Sequence, residues 1–145
     1  MFRKAVLCVA VVVLLSVPAM GRVQIFGPLS VEVPSGWTAE RQGSVTVIKN
    51  AGENASVSVA VNSKGEATLT DITERLYVQM NGTGLEQDED GDYTFQFESL
   101  AGTESFAIIT DSGDGRYILI SVTGYKNENV QEDLDAIVDS LDWNE

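Results

Sequence analysis

No histidine occurs in the 145 residues, and the only cysteine, Cys8, lies close to the N-terminus. The first absence excludes Ser-His-Asp and Cys-His catalysis, imidazole general-base chemistry, and the usual zinc and copper ligand sets. The second leaves the rest of the chain unable to form an internal disulfide, so its stability must come from its core. Positive charge is also scarce, with nine Lys and Arg against 22 Asp and Glu, a net charge of −13. A phosphate backbone or an anionic lipid surface would be repelled, so nucleic-acid and membrane-surface functions are not expected. Cations and basic protein surfaces are the partners such a chain attracts.

Long apolar runs are absent after the first 21 residues. Before that point Arg3 and Lys4 precede the apolar stretch Ala5 to Val17, and Ala19 and Gly21 stand as small residues before Arg22. This is the pattern of a cleaved signal peptide over residues 1–21, with a cut after Ala19 as the second choice. The apolar run is about 13 residues, against roughly 20 needed to span a bilayer, so no membrane insertion is expected after cleavage. Cys8 lies inside the run rather than at its end, which argues against lipid attachment. Without Arg3 and Lys4 the net charge becomes −15. The expectation is an exported protein, periplasmic or extracellular, with residues 22–145 as a single domain.

Within that domain no repeat, linker or low-complexity tract occurs. "LSVEVP" alternates apolar and polar residues before a turn at Pro34-Ser35-Gly36. "WTAER" and "SVTVIKN" read as a hairpin through Gln42-Gly43, and "SVSVAVN" carries Val57, Val59 and Val61 on one face. The other face, Ser56, Ser58 and Ala60, is small enough for close packing. "TDITERLYVQMNG" changes period, with Ile72, Leu76 and Met80 on a helical face. Asp71 and Glu74 form its expected capping box and Gly82 its stop. "DYTFQFESL", "ESFAIIT" and "RYILISVTG" follow as strands, the last apolar on both faces as a central strand is. Val130, Leu134, Ile137, Val138 and Leu141 then recur at helical spacing. Hairpin-length connections and a two-faced strand predict an α+β sandwich: an antiparallel sheet of about six or seven strands with a helix on each side.

"LSVEVPSGWTAE" near the start of this domain and "EDLDAIVDSLDW" at its end resemble the PsbP/Mog1-like superfamily. The similarity covers nearly all of residues 25–143. The positions that carry it are structural: Val33, Pro34, Gly36 and Trp37 at the first turn, and Ile137, Ser140 and Leu141 in the last helix. The resemblance implies an antiparallel sheet flanked by helices and a non-enzymatic role. It transfers no functional residue, because the family has no common active-site motif.

"EQDEDGDYTFQF" is the most conspicuous candidate site, placing Asp88, Asp90 and Asp92 at alternate positions around Gly91. Calcium is the cation such a loop would take. As an EF-hand loop starting at Asp88 it fails, because its sixth position is Tyr93 and its twelfth is Ser99 instead of Gly and Glu. The competing reading makes Asp90-Gly91 the centre of a type I′ hairpin turn, with Asp88, Glu89 and Asp92 as solvated edge residues. "TDSGDGR", with Asp111 and Asp114, reads as a glycine-rich hairpin loop and not a phosphate loop. Trp37 and Trp143 are expected to pack at the edge of the core. Asn54-Ala-Ser56 and Asn81-Gly-Thr83 are glycosylation sequons. Ser-Lys catalysis would rest on Lys49, Lys64 or Lys126, none in a recognisable motif.

No catalytic residue and no cofactor is therefore expected. The leading function is an accessory domain that binds a protein partner in the envelope or outside the cell. The alternatives are an acidic calcium-binding protein using Asp88, Asp90 and Asp92, and a carboxylate-dependent hydrolase.

Overall fold

The computed structural model describes residues 22–26 and 29–143. The proposed signal peptide lies outside these residues.

The chain forms β1 (Arg22–Phe26), β2 (Leu29–Val33), β3 (Thr38–Gln42), β4 (Val45–Asn50) and β5 (Ala55–Ser63). Helix α1 (Leu69–Gln79) follows, then β6 (Thr83–Gln87), β7 (Tyr93–Glu98), β8 (Glu104–Asp111) and β9 (Arg116–Thr123). Helix α2 (Gln131–Ser140) leads into the two-residue strand β10 (Asp142–Trp143). Seven strands form one sheet in the order β3-β4-β5-β9-β8-β7-β6, and β1-β2-β10 form a second. Every pairing is antiparallel.

The expected α+β sandwich is present, and it has one more layer element than the sequence reading gave. The strand "LSVEV" belongs to the small sheet, not the large one. It pairs on one side with β1 and on the other with β10, neither of which the sequence reading contained. Strand β6 was missed as well: all five of its residues are exposed, so it carries no alternating signal.

Alternation along β8 and β9 sends side chains to two cores. Ile108, Ile118, Ile120 and Val122 face α2 and the small sheet, where they pack with Leu29, Val31, Val33, Leu134, Ile137 and Leu141. Ala107 and Ile109 face α1 with Phe95, against Leu76, Tyr77 and Met80. Register explains the division, since Ile108 stands opposite Ile120 and Ile109 opposite Leu119. One helix therefore lies on each face of the large sheet, as a strand apolar on both sides requires.

Helix α1 starts one turn earlier than expected. Thr68 is the cap: its hydroxyl accepts from the Asp71 amide at 3.1 Å, and Asp71 reaches back to the Thr68 amide at 3.4 Å. The box is thus Thr68 with Asp71, not Asp71 with Glu74. At the other end Asn81, not Gly82, takes the left-handed conformation, at φ 52°. The Gly82 amide bonds the Tyr77 carbonyl at 2.8 Å and the Asn81 amide bonds Val78 at 3.2 Å, a Schellman motif. Gly82 is needed for space instead. A Cβ there would lie 2.5 Å from Tyr77 and 2.7 Å from Phe95, whose rings meet edge to face at 5.4 Å.

Candidate functional site

Three successive hairpin loops, between β6 and β7, β7 and β8, and β8 and β9, are built to one plan. Asp88–Asp92, Ser99–Thr103 and Ser112–Arg116 are each closed by a bond from the first amide to the last carbonyl, at 2.9, 2.8 and 3.0 Å. The fourth residue in each is a glycine at positive φ: Gly91 at 88°, Gly102 at 81° and Gly115 at 85°. Neither Glu89 nor Asp90 has positive φ, and the Gly91 amide bonds the Asp88 carbonyl at 3.1 Å. The loop is a type I turn on Glu89-Asp90 with a glycine bulge, not a type I′ turn on Asp90-Gly91. Similarly, the β3–β4 hairpin turns on Gly43-Ser44, because Gln42 still pairs with Val45.

That plan accounts for the spacing of the acidic stretch. Asp88 Oδ1 accepts from the Asp90 amide at 2.9 Å and the Asp92 amide at 3.0 Å. Ser99 does the equivalent in the next loop, its hydroxyl accepting from the Thr103 amide at 3.1 Å. Asp90 is exposed. Asp92 is not the solvated edge residue expected, for it is buried beside Thr110. Burial pushes its carboxyl above the ordinary value, against the hydrogen bond from Thr110, and Asp88 adds to the rise. Among the described residues no group of three or more acidic side chains is disposed to hold a metal ion.

The third loop is tied by ion pairs. Lys64 pairs with Asp111, and its hydrogen bond holds that carboxyl below the ordinary range. Arg116 pairs with Asp114 and holds it well below that range. The same guanidinium lies 5.0 Å from the Trp143 ring. Lys126 pairs with Glu104 on the surface. Lys49 stands opposite Ser56 in register, yet no hydrogen bond joins them among the described residues. Asn54 and Asn81, the two sequon asparagines, are the non-glycine residues with positive φ among those described. Each ends a helical segment, which explains an asparagine there without any modification.

The site that sequence reasoning missed is a cleft on the α1 side of the large sheet. Helix α1 packs over β7, β8 and the Tyr117–Leu119 part of β9, and among the described residues Ser56, Ser58 and Ala60 on β5 stay half-exposed. Register aligns Lys49, Ser56, Thr123, Ser105 and Phe97 in a row across five strands. Along it the Ser105 and Thr123 hydroxyls bond at 2.9 Å. Lys49, Ser56, Thr123 and Phe97 of this row, with Met80 as one wall and the Leu100-Ala101 turn as rim, line a cleft of about 670 Å³, while Ser105 is buried beneath. Leu100 is fully exposed. Among the described residues no carboxylate lines the cleft, and Lys49 is its one charged residue. The signal in the sequence was the small-residue face together with a leucine in a turn.

No family model and no curated protein sequence matches the chain. Among solved structures it is similar to the solution structure of cyanobacterial PsbP (CyanoP) from Synechocystis sp. PCC 6803. The TM-score is 0.61 at 19% identity, over 86% of this chain and 93% of that one. The fold is that of PsbP. The family-like positions are explained by this PsbP-like architecture. The Trp37 amide bonds the Pro34 carbonyl at 3.1 Å across a turn with Gly36 at φ 88°. Ser140 Oγ accepts the Glu32 amide at 2.8 Å, fastening α2 to β2. Among the described residues no helix is long and apolar enough to cross a membrane.

Proposed function

We propose that the protein is an exported, non-enzymatic accessory domain that holds a protein partner at the cleft rimmed by Leu100. The observation that carries this reading is the lining of the cleft. In a chain with 22 acidic residues, this cleft of about 670 Å³ has none of them in its described lining and presents Met80, Phe97, Leu100, hydroxyls and a single lysine. What supports a partner there is the concave apolar lining, with Met80, Phe97 and Leu100 around one cleft. The partner expected is one that inserts an apolar side chain and surrounds it with basic residues, matching the net negative charge of the chain. The PsbP-like fold supports an accessory role, and the leader pattern of residues 1–21 supports export. A carboxylate-dependent hydrolase has no support in the cleft, which offers no acid or base of that kind.

The test is photo-cross-linking in the exporting cell. A photoreactive residue replacing Leu100 should capture one discrete protein, while the same residue at Asp135, on the exposed face of α2, should not. Equal capture at both positions would remove the cleft from the account.

A further inference from the structure

Residues 22–145 contain a single sulfur atom, the thioether of Met80. The other two methionines, Met1 and Met20, and the one cysteine, Cys8, all fall in residues 1–21. Met80 is not sealed in a core. It is half-buried, packs against the Phe95 cluster and also lines the Leu100 cleft. Its place is fixed by the end of α1. The Met80 amide bonds the Leu76 carbonyl at 2.9 Å, directly before the left-handed Asn81. Gly82 next runs close against the Tyr77 and Phe95 rings.

A thioether suits an apolar contact surface, being soft, flexible and only a weak acceptor. With no thiol in residues 22–145, it is also the group there that a peroxide attacks first. The sulfur lone pair attacks one peroxide oxygen, the O–O bond breaks, and the other oxygen leaves as water after proton transfer. Sulfur is oxidised by two electrons, the peroxide is reduced by two, and a polar sulfoxide remains. Its oxygen is an acceptor that loses water, and gains no donor, when an apolar side chain is pressed against it. Met80, Phe97 and Leu100 are the large apolar side chains of the described lining, so oxidation turns one of the three polar. We infer that Met80 is an oxidation site at which a peroxide weakens the hold of the cleft on its protein partner, and that reduction of the sulfoxide restores it. This inference rests on the cleft reading and adds its regulation.

Peptide mapping by mass spectrometry tests the site itself. Dilute hydrogen peroxide should add one oxygen atom to Met80 in the folded protein and leave the Trp37 and Trp143 peptides unchanged. A folded protein whose Met80 resists peroxide until urea unfolds it would overturn the inference.

Cross-linking tests the consequence. Purified protein with the photoreactive residue at Leu100 is oxidised, freed of peroxide, and illuminated in an envelope extract of the exporting cell. The discrete cross-linked product should fall by at least about tenfold, and methionine sulfoxide reductases should restore it. Met80→Leu, a volume-conserving change that peroxide cannot oxidise, should give the full product before and after treatment. Equal product from oxidised and untreated protein would overturn this inference and leave the cleft reading standing. A fall that Met80→Leu does not prevent, or oxidised protein that no longer melts cooperatively, would do the same. No discrete product from untreated protein would overturn both.

Discussion

The Trp37 indole donates to Asp133 Oδ2 at 2.9 Å, joining the turn after β2 to the second helix across 96 residues of chain. Trp37 is buried beneath α2, so its N–H requires an acceptor and the half-buried Asp133 supplies one. Trp37→Phe removes the donor and leaves Asp133 able to reach water. Urea unfolding should show a loss of about 1–3 kcal/mol. Asp135→Ala, on the exposed face of the same helix, should stay within about 0.5 kcal/mol.

The second helix is part of the core rather than an appendage. Ile137 and Leu141 are fully buried against β2, β5 and β9. Ile137→Ala and Leu141→Ala should each cost about 2–5 kcal/mol in the same assay. Losses as small as that of Asp135→Ala would place the helix outside the core.

Two glycines are required for different reasons, and paired substitutions separate them. At Gly91 the constraint is φ, since nothing lies within 4 Å of an added Cβ. Gly91→Ala should destabilise by about 1 kcal/mol, and Gly91→Asn by less, because asparagine tolerates the left-handed region. At Gly82 the constraint is space against the Tyr77 and Phe95 rings. There Ala should cost about 1–3 kcal/mol and Asn should be worse than Ala. Melting temperatures of the four variants give the order.

How much of this was legible in the sequence depended on how far each feature is local. The strands with buried alternation and the helix bearing Leu134 and Ile137 were readable because their periodicity records burial. Strands β1, β6 and β10 were not: β6 is exposed throughout, and β10 has two residues that take their meaning from pairing with Ser30 and Leu29. Asp88, Asp90 and Asp92 were visible as a cluster. Their separate fates were not, because the burial of Asp92 depends on Thr110, which reaches it from β8. The cleft was invisible for a similar reason. Its row from Lys49 to Phe97 exists only once five strands are in register.

Asp92 gives a pH dependence of definite sign. Burial raises its carboxyl above the unfolded value, so the folded state holds the proton to higher pH than the unfolded state does. Its contribution to stability is full below the ordinary carboxylate range and falls as pH rises through its raised value. Asp92→Asn keeps a hydrogen-bonding group beside Thr110 and removes the buried charge. The variant should melt above the wild type at neutral pH, and the difference should vanish in acid. A variant that melts lower at neutral pH would mean that the charge itself is stabilising.

The acidic loop should respond to cations as a charged surface does. Asp88 is engaged with two backbone amides and Asp92 is turned into the protein. Millimolar calcium and magnesium should raise the melting temperature slightly, equally and without saturation. Micromolar calcium affinity lost on Asp90→Asn would establish a dedicated site there.

Leu100 is the residue on which the functional account turns. It is fully exposed at the rim of the cleft, so Leu100→Asp alters the surface without entering either core. The deciding measurement is the affinity of this variant for the protein captured by cross-linking, compared with wild type by calorimetry. The account predicts a loss of at least about tenfold with an unchanged melting temperature. Equal affinity of the two proteins would contradict it.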